Sequence, residues 1–352
     1  MVDHESTEGQ PDSPRSDINV TAQGSAQGSI DGLDYIAPTA PPSRIGATDI
    51  AQVRDAAVSV KRGDMRWGGG FGFDAALVET RRARDLLEAR CAPKLRPQLL
   101  VAVGWLTCNT GFMAFDIDRF RDASRLWQMA SRCAEDADNW SLQARVLGSM
   151  ARQETWLGRP AEALALLERA LEGAQGRLVP TEQAMLWALK ARAHAEAGEV
   201  EATEAAIGTA DQWFAARDLD ECGDRPWAAH YSHAHHWGDT GLAWDRLAVT
   251  GHSAHAVVQA GGRHQAAADG HGEDAARSHA LALVALAQLD TTVGDLDRGV
   301  DAGHRALAAA RRVSSGRVRD NLIALHTSLA PHSRRKDVSD LREQMAAVLL
   351  AA

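Results

Sequence analysis

The feature that most constrains the fold is a recurrence of small residues in fixed register. Asp118, Gly158 and Gly198 stand 40 residues apart, each between two runs of helical periodicity, and Gly294 occupies the same context later. Five residues after these positions come Ala123, Ala163, Thr203 and Gly299; twelve after come Ala130, Ala170, Ala210 and Ala306; seven before come Gly111, Ala151, Ala191 and Ala287. Small side chains in register mark places where helix backbones approach closely, both within a hairpin and between one hairpin and the next. The linking position favours glycine because the chain leaves the first helix through a left-handed residue. Self-similarity at such a period is the signature of stacked helical units.

One unit shows the whole pattern. In the run from Gly158 to Leu171, the glycine ends a helix and Pro160 enters the next first turn, where its missing N–H costs nothing. Ala163, Leu164, Leu167, Ala170 and Leu171 then share a face. A more degenerate unit has Gly251 as its turn, with Trp244 before it and Ala256 after it; Gly261-Gly262 and Gly270-His271-Gly272 predict an irregular segment at about 251–274. Helices at about 317–329 and 338–350 close the stack as a cap. Before the units, a helix capped at Thr48-Asp49 runs to Arg62 with Gly63 as its C-cap, a glycine-rich loop follows at 66–72, and a second helix covers 74–90. Residues 1–44 are Ser, Gly, Gln, Asp and Pro with scattered apolar residues, a composition that predicts a disordered tail or linker. The predicted organisation is therefore a tail (1–44), N-terminal helices with the glycine-rich loop (45–98) and a helical-repeat solenoid (99–352).

Composition agrees with an all-α chain. The apolar share is 45% and the aromatic share only 5%, so the core is built mainly from Ala and Leu, which favour helix over strand. A net charge of -9 argues against direct binding of a nucleic-acid backbone; the basic runs at Arg81, Arg82 and Arg84 and at Arg334, Arg335 and Lys336 read as solvated faces. Cys91, Cys108, Cys133 and Cys222 stand far apart without a Cys-x-x-Cys pair, which suggests reduced thiols and no zinc knuckle. No signal segment or bilayer-spanning run is expected, and the location expected is cytoplasmic.

The recurring positions resemble the tetratricopeptide repeat, with a period longer than usual for that family. More specifically, the run from Ile45 onward resembles the sensor half of actinobacterial transcription regulators that carry an N-terminal helix-turn-helix of the xenobiotic-response type. The residues carrying that likeness are Asp64-Met65-Arg66-Trp67-Gly68-Gly69-Gly70, Gly104-Trp105-Leu106, Ala114-Phe115-Asp116, Gly158 to Ala163, and Gly294-Asp295-Leu296. The resemblance implies a right-handed α-solenoid of antiparallel helix pairs and a role in transcriptional regulation. No helix-turn-helix pattern lies in 1–44, so the expectation is a sensor part without its DNA-binding domain.

No catalytic motif is found, and no cofactor is expected: the glycines at 68, 69, 70 and 72 lack the strand and the Lys-Ser/Thr of a phosphate loop. Nine of the fourteen histidines lie between His230 and His279, and His233 with His236 would suit a shared metal on one helix, an alternative reading of the chain as a metal-binding protein. Asp116, Asp118, Glu135, Asp136 and Asp138 read as helix caps, and Trp105, Trp127, Trp156 and Trp187 as core wedges. In a tetratricopeptide-like unit the first helix lines a concave groove, and the resemblance selects Phe112, Arg152, Arg192 and Gln288 as its inward positions. Arg145 and Asn109 fall on the same wall. Paired guanidiniums there would fork a carboxylate or phosphate, and an Asn would bond an extended backbone. The expected function is a non-enzymatic module that binds a protein or peptide segment in this groove, and self-association is a further expected contact. An alternative is a small-molecule sensor with a pocket between Phe112, Trp156 and the last units.

Overall fold

Helix formation in this chain follows its punctuation. The computed structural model describes residues 42–218, 220, 223, 225–251 and 253–351. All but the last three residues of the expected tail lie outside these, as does Cys222. The described residues form fifteen α-helices and two short strands: β1 (Arg44–Ile45), α1 (Ala47–Trp67), α2 (Phe73–Asp85), β2 (Arg90–Cys91), α3 (Arg96–Asp116), α4 (Phe120–Asp136), α5 (Trp140–Trp156), α6 (Pro160–Gly173), α7 (Pro180–Ala197), α8 (Val200–Ala215), α9 (Pro226–Ala229), α10 (His233–Gly251), α11 (Ala254–Gly270), α12 (Ala276–Thr292), α13 (Leu296–Ala310), α14 (Gly316–Ser328) and α15 (Lys336–Ala351). The strands pair in parallel, Arg44 with Arg90 and Ile45 with Cys91. The fold is all-α.

The turn register holds at every strict position. Asp118, Gly158, Gly198 and Gly294 all have φ between 63° and 88°, and each separates two helices that pack closely on one another: α3 with α4, α5 with α6, α7 with α8, and α12 with α13. The small residues do what their spacing requires. A Cβ on Gly111 would lie 2.7 Å from Nε1 of Trp127, so that glycine makes the slot into which the buried indole packs. Ala123, Ala130, Ala163, Ala170, Ala210 and Ala306 are all fully buried at helix crossings. Capping follows the expected chemistry, with the side chains of Asn139, Ser253, Asp295 and Ser315 accepting from the backbone three residues on.

Four expectations are corrected. The first helix does not stop at Gly63 but runs to Trp67, starts at Ala47, and is capped by Asp49, which accepts from Gly46 N at 2.8 Å. The second ends at Asp85, and Leu86–Glu88 tighten into a single 3₁₀ turn before β2. The segment 251–274 is mostly regular: α11 runs through Gly261-Gly262, because two helical glycines cost only about 1 kcal/mol each against alanine and the neighbouring helices α10 and α12 hold the face. Among the described residues, the interruption between long helices lies earlier, at the four-residue α9, where no glycine repeat announces it. Finally, Pro97 to Phe115 carries no charged residue, so α3 is long and apolar enough to cross a membrane; 89% of its most apolar window is buried inside the protein, where it is a core helix.

Two long-range connections bring the two ends of this architecture together. α1 packs against α3 on one side and α12 on the other. The glycine-rich loop after α1 crosses the loop before α14, with Ser314 N donating to Trp67 O at 2.7 Å and Gly70 N donating to Ser314 O at 2.9 Å. A Cβ on Gly68 would stand 2.4 Å from Ser314 O, and one on Gly69 2.5 Å from Met113 O. These glycines are there because two backbones cross over a third, not to cradle a phosphate.

Candidate functional site

The first helices of successive pairs, α3, α5, α7, α10, α12 and α14, turn one face toward a common centre, and α1 lies across it. Between them lies a partly open cavity with about 190 Å³ of space that the centre of a water molecule can occupy. A single water needs only about 10–15 Å³ by this measure, so the cavity is of ligand size.

Sequence reasoning placed five of its six candidates on this wall. Phe112, Arg145, Arg152, Trp156 and Arg192 all line the cavity. Asn109 does not: it is buried, and its side-chain amide donates to Ala57 O at 3.1 Å, which anchors α1 to α3. Gln288 is also off the wall, donating to Asn321 O at 3.0 Å. The remaining residues of the site lacked any spacing signal. Lys61 and Met65 come from α1, Asp239 from α10, Arg277 from α12 and Arg317 from α14.

Charge is the dominant property of the wall. Six cationic side chains face the cavity: Lys61, Arg145, Arg152, Arg192, Arg277 and Arg317. Three carboxylates answer them. Asp239 receives both terminal nitrogens of Arg152, at 2.8 and 2.9 Å, and Arg192 at 3.4 Å. Burial pushes the Asp239 carboxyl up, but Arg152 beside it, and then Arg192, hold it well below the usual carboxylate range. Asp64, buried, takes both terminal nitrogens of Arg277 and lies 3.5 Å from Lys61 Nζ. Asp116, fully buried, accepts from Arg317 Nε at 2.9 Å, from Ser315 Oγ at 3.0 Å and from Gly69 N at 2.8 Å, with Arg277 at 3.5 Å. Asp116 was expected to be a helix cap; it is instead the anion that ties α3 to α12 and α14.

Among the described residues Arg145 is left without a carboxylate. Its one polar contact is Sδ of Met185 at 3.4 Å, and its Nε is buried with no hydrogen-bond partner among the described residues. Burial pushes its guanidinium down, with neighbouring Arg152 adding to the effect. Burial likewise lowers Lys61 to about 8, partly opposed by Asp64, and lowers Arg192 to about 10, with Arg152 beside it contributing.

The rest of the wall is aromatic or neutral. Phe112 lies under the charges of Lys61, Arg277 and Arg317, each 5.2–5.3 Å from its ring centre. Phe115 packs edge-on against Phe112 and Trp156. Trp156, expected both as a core wedge and as a pocket wall, packs against the core and lines the cavity; Trp127 and Trp105 are buried as expected, and Trp187 is only half-buried, beneath Lys190. His235 and His271 meet edge-on with ring centres 4.9 Å apart, and burial lowers them to about 3 and about 4, so both are neutral at pH 7.

The histidines do not converge on a metal. His236 Nε2 donates to Asp211 Oδ1 at 2.7 Å and the ring stacks on Phe214, whereas His233 meets Arg217 at 3.0 Å. Among the described residues no three His, Cys, Asp or Glu side chains are grouped to hold an ion.

The chain matches no known family model and no curated protein. Its function has to be argued from the cavity itself.

Proposed function

We propose that this chain is a non-enzymatic sensor module that takes up a small molecule in the cavity between its helix pairs. On this reading the pairs form a right-handed, tetratricopeptide-like solenoid whose concave face is closed by α1. The observation that carries it is the position of α1: it lies across the inner faces of the helices and packs on both α3 and α12, so the space left is a partly open chamber of ligand size. An extended peptide would need the room that α1 occupies. The wall also argues against catalysis. Asp239 is saturated by two guanidiniums and is a poor proton acceptor, and His235 and His271 are held too far below neutrality to serve as efficient acid–base groups. A role in transcriptional regulation rests on the resemblance of the sequence to regulator sensors.

The test is a thermal-melting screen of the full chain against a metabolite library, followed by calorimetry on the hits. A ligand present at a hundred times its Kd is expected to add about 2.7 kcal/mol to the stability. Replacing Trp156 by Ala, which removes one wall, should weaken any genuine hit at least tenfold. A flat screen, or hits indifferent to Trp156→Ala, would overturn the reading.

A further inference from the structure

We propose that the ligand of this cavity is an organic anion, its charged group held by Arg145 and Lys61 and its apolar part laid against Phe112, Phe115 and Trp156. The inference rests on the small-molecule reading above and adds the chemical class of the ligand. It stands on a charge inventory. Six cations line one chamber, and among the described residues three carboxylates stand within contact of them. Arg277, Arg317 and Arg152 account for those three carboxylates one for one, each through direct hydrogen bonds. Lys61 and Arg192 share what remains, at 3.5 and 3.4 Å, and Arg145 has no carboxylate among the described residues, only Sδ of Met185.

A half-buried guanidinium whose Nε is buried without a partner among the described residues is costly to fold around. It persists in a chamber wall when something that enters the chamber supplies the anion. Arg145 is suited to this: its fork matches carboxylate, sulfonate or phosphate oxygens, and it faces the cavity with Nε unsatisfied. Lys61 lines the same cavity from α1, so an anion held by both would bridge α1 to α5. Phe112 beneath Lys61 begins an aromatic strip that Phe115 and Trp156 continue, which is where a planar or apolar body attached to that anion would lie.

The experiment uses the full chain and matched probes: anilinonaphthalene sulfonate against its neutral counterpart N-phenylnaphthylamine, and naphthoate against naphthamide, each titrated by fluorescence or calorimetry. The anions are expected to bind at least tenfold more tightly than the neutral partners, and Arg145→Met should abolish that preference. The same substitution should raise the melting temperature of the empty protein by about 3 °C, because it removes a half-buried charge whose Nε has no hydrogen-bond partner among the described residues. This paired outcome, weaker anion binding in a more stable protein, separates ligand contact from structural damage. Lys61→Met serves as the second variant and should reduce the preference at least threefold. Equal affinity for anions and neutral partners, or a preference that survives Arg145→Met, overturns the inference and leaves the small-molecule reading standing. Failure of every probe to bind, together with no gain in melting temperature, overturns both.

Discussion

Asp245 shows how a single residue can set a pH dependence. It lies on α10, its Oδ1 is buried without a partner among the described residues, and burial pushes its carboxyl up to about 7, with only Arg246 opposing. An aspartate in the unfolded chain titrates near 4. Between about pH 4 and 7 the unfolded state has therefore lost a proton that the folded state retains, so this residue makes stability fall as the pH rises, and the full cost is present above pH 7. Asp245→Asn removes that cost. The variant is expected to be more stable than the native chain by on the order of 2 kcal/mol at pH 8 and to show no advantage at pH 4. His235, His264 and His271, all lowered by burial, act in the opposite direction, withdrawing stability as the pH falls below their unfolded value. They are common to both proteins and cancel in the difference. Urea unfolding at several pH values measures this, and a difference independent of pH would show that folding leaves the Asp245 carboxyl unperturbed.

Among the elements, glycines of the same kind have opposite consequences according to what they face. Gly69 sits where the loop after α1 presses on α3; an added Cβ would meet backbone at Met113 O and the side chain of Asp116, and the loop would lose the approach that lets Gly69 N donate to Asp116. Gly69→Ala is expected to cost about 2 kcal/mol. Gly208, exposed on α8 with nothing within 4 Å, is a helix-interior glycine, and Gly208→Ala should stabilise by about 0.5–1 kcal/mol. Chemical unfolding of the two variants checks both signs. The contrast also marks what a sequence can disclose. Turn residues, small crossing positions and the inward face of first helices obey local periodicity, so Asp118, Gly158, Gly198, Arg152 and Arg192 could be placed without coordinates. Asp239, Arg277 and Arg317 obey none. Their partners are 201 and 213 residues away in two of the bonds that matter, and in a chain with many arginines nothing local distinguishes one that pairs across the fold from one that faces water. The glycine-rich loop was legible as a helix break but not as a crossing, because the reason for it, Ser314, is equally remote.

At the scale of the whole molecule, the same remote pairs decide whether the cavity exists. α1 is fastened by Asn109 to α3, by Asp64 to Arg277 on α12, and by its following loop to Ser314 and Asp116. The helix pairs α5 with α6 and α7 with α8 are built from local contacts and need none of this. Closure should therefore be a separable event with its own free energy, lower than that of global unfolding. Asp64→Asn removes the charge that Arg277 and Lys61 both face, and breaking a buried pair of this kind costs about 3 kcal/mol. If that loss falls on closure, amide protons of α1 should exchange about a hundredfold faster in the variant while those of α5 and α7 keep their native rates, as read by hydrogen exchange with mass spectrometry. An anion bridging Lys61 to Arg145 would act on the same equilibrium in the opposite direction, slowing exchange in α1 of the native chain. Uniform acceleration in every helix would mean that α1 and the helix pairs open as one cooperative unit, and that occupancy of the cavity has no separate hinge through which to report.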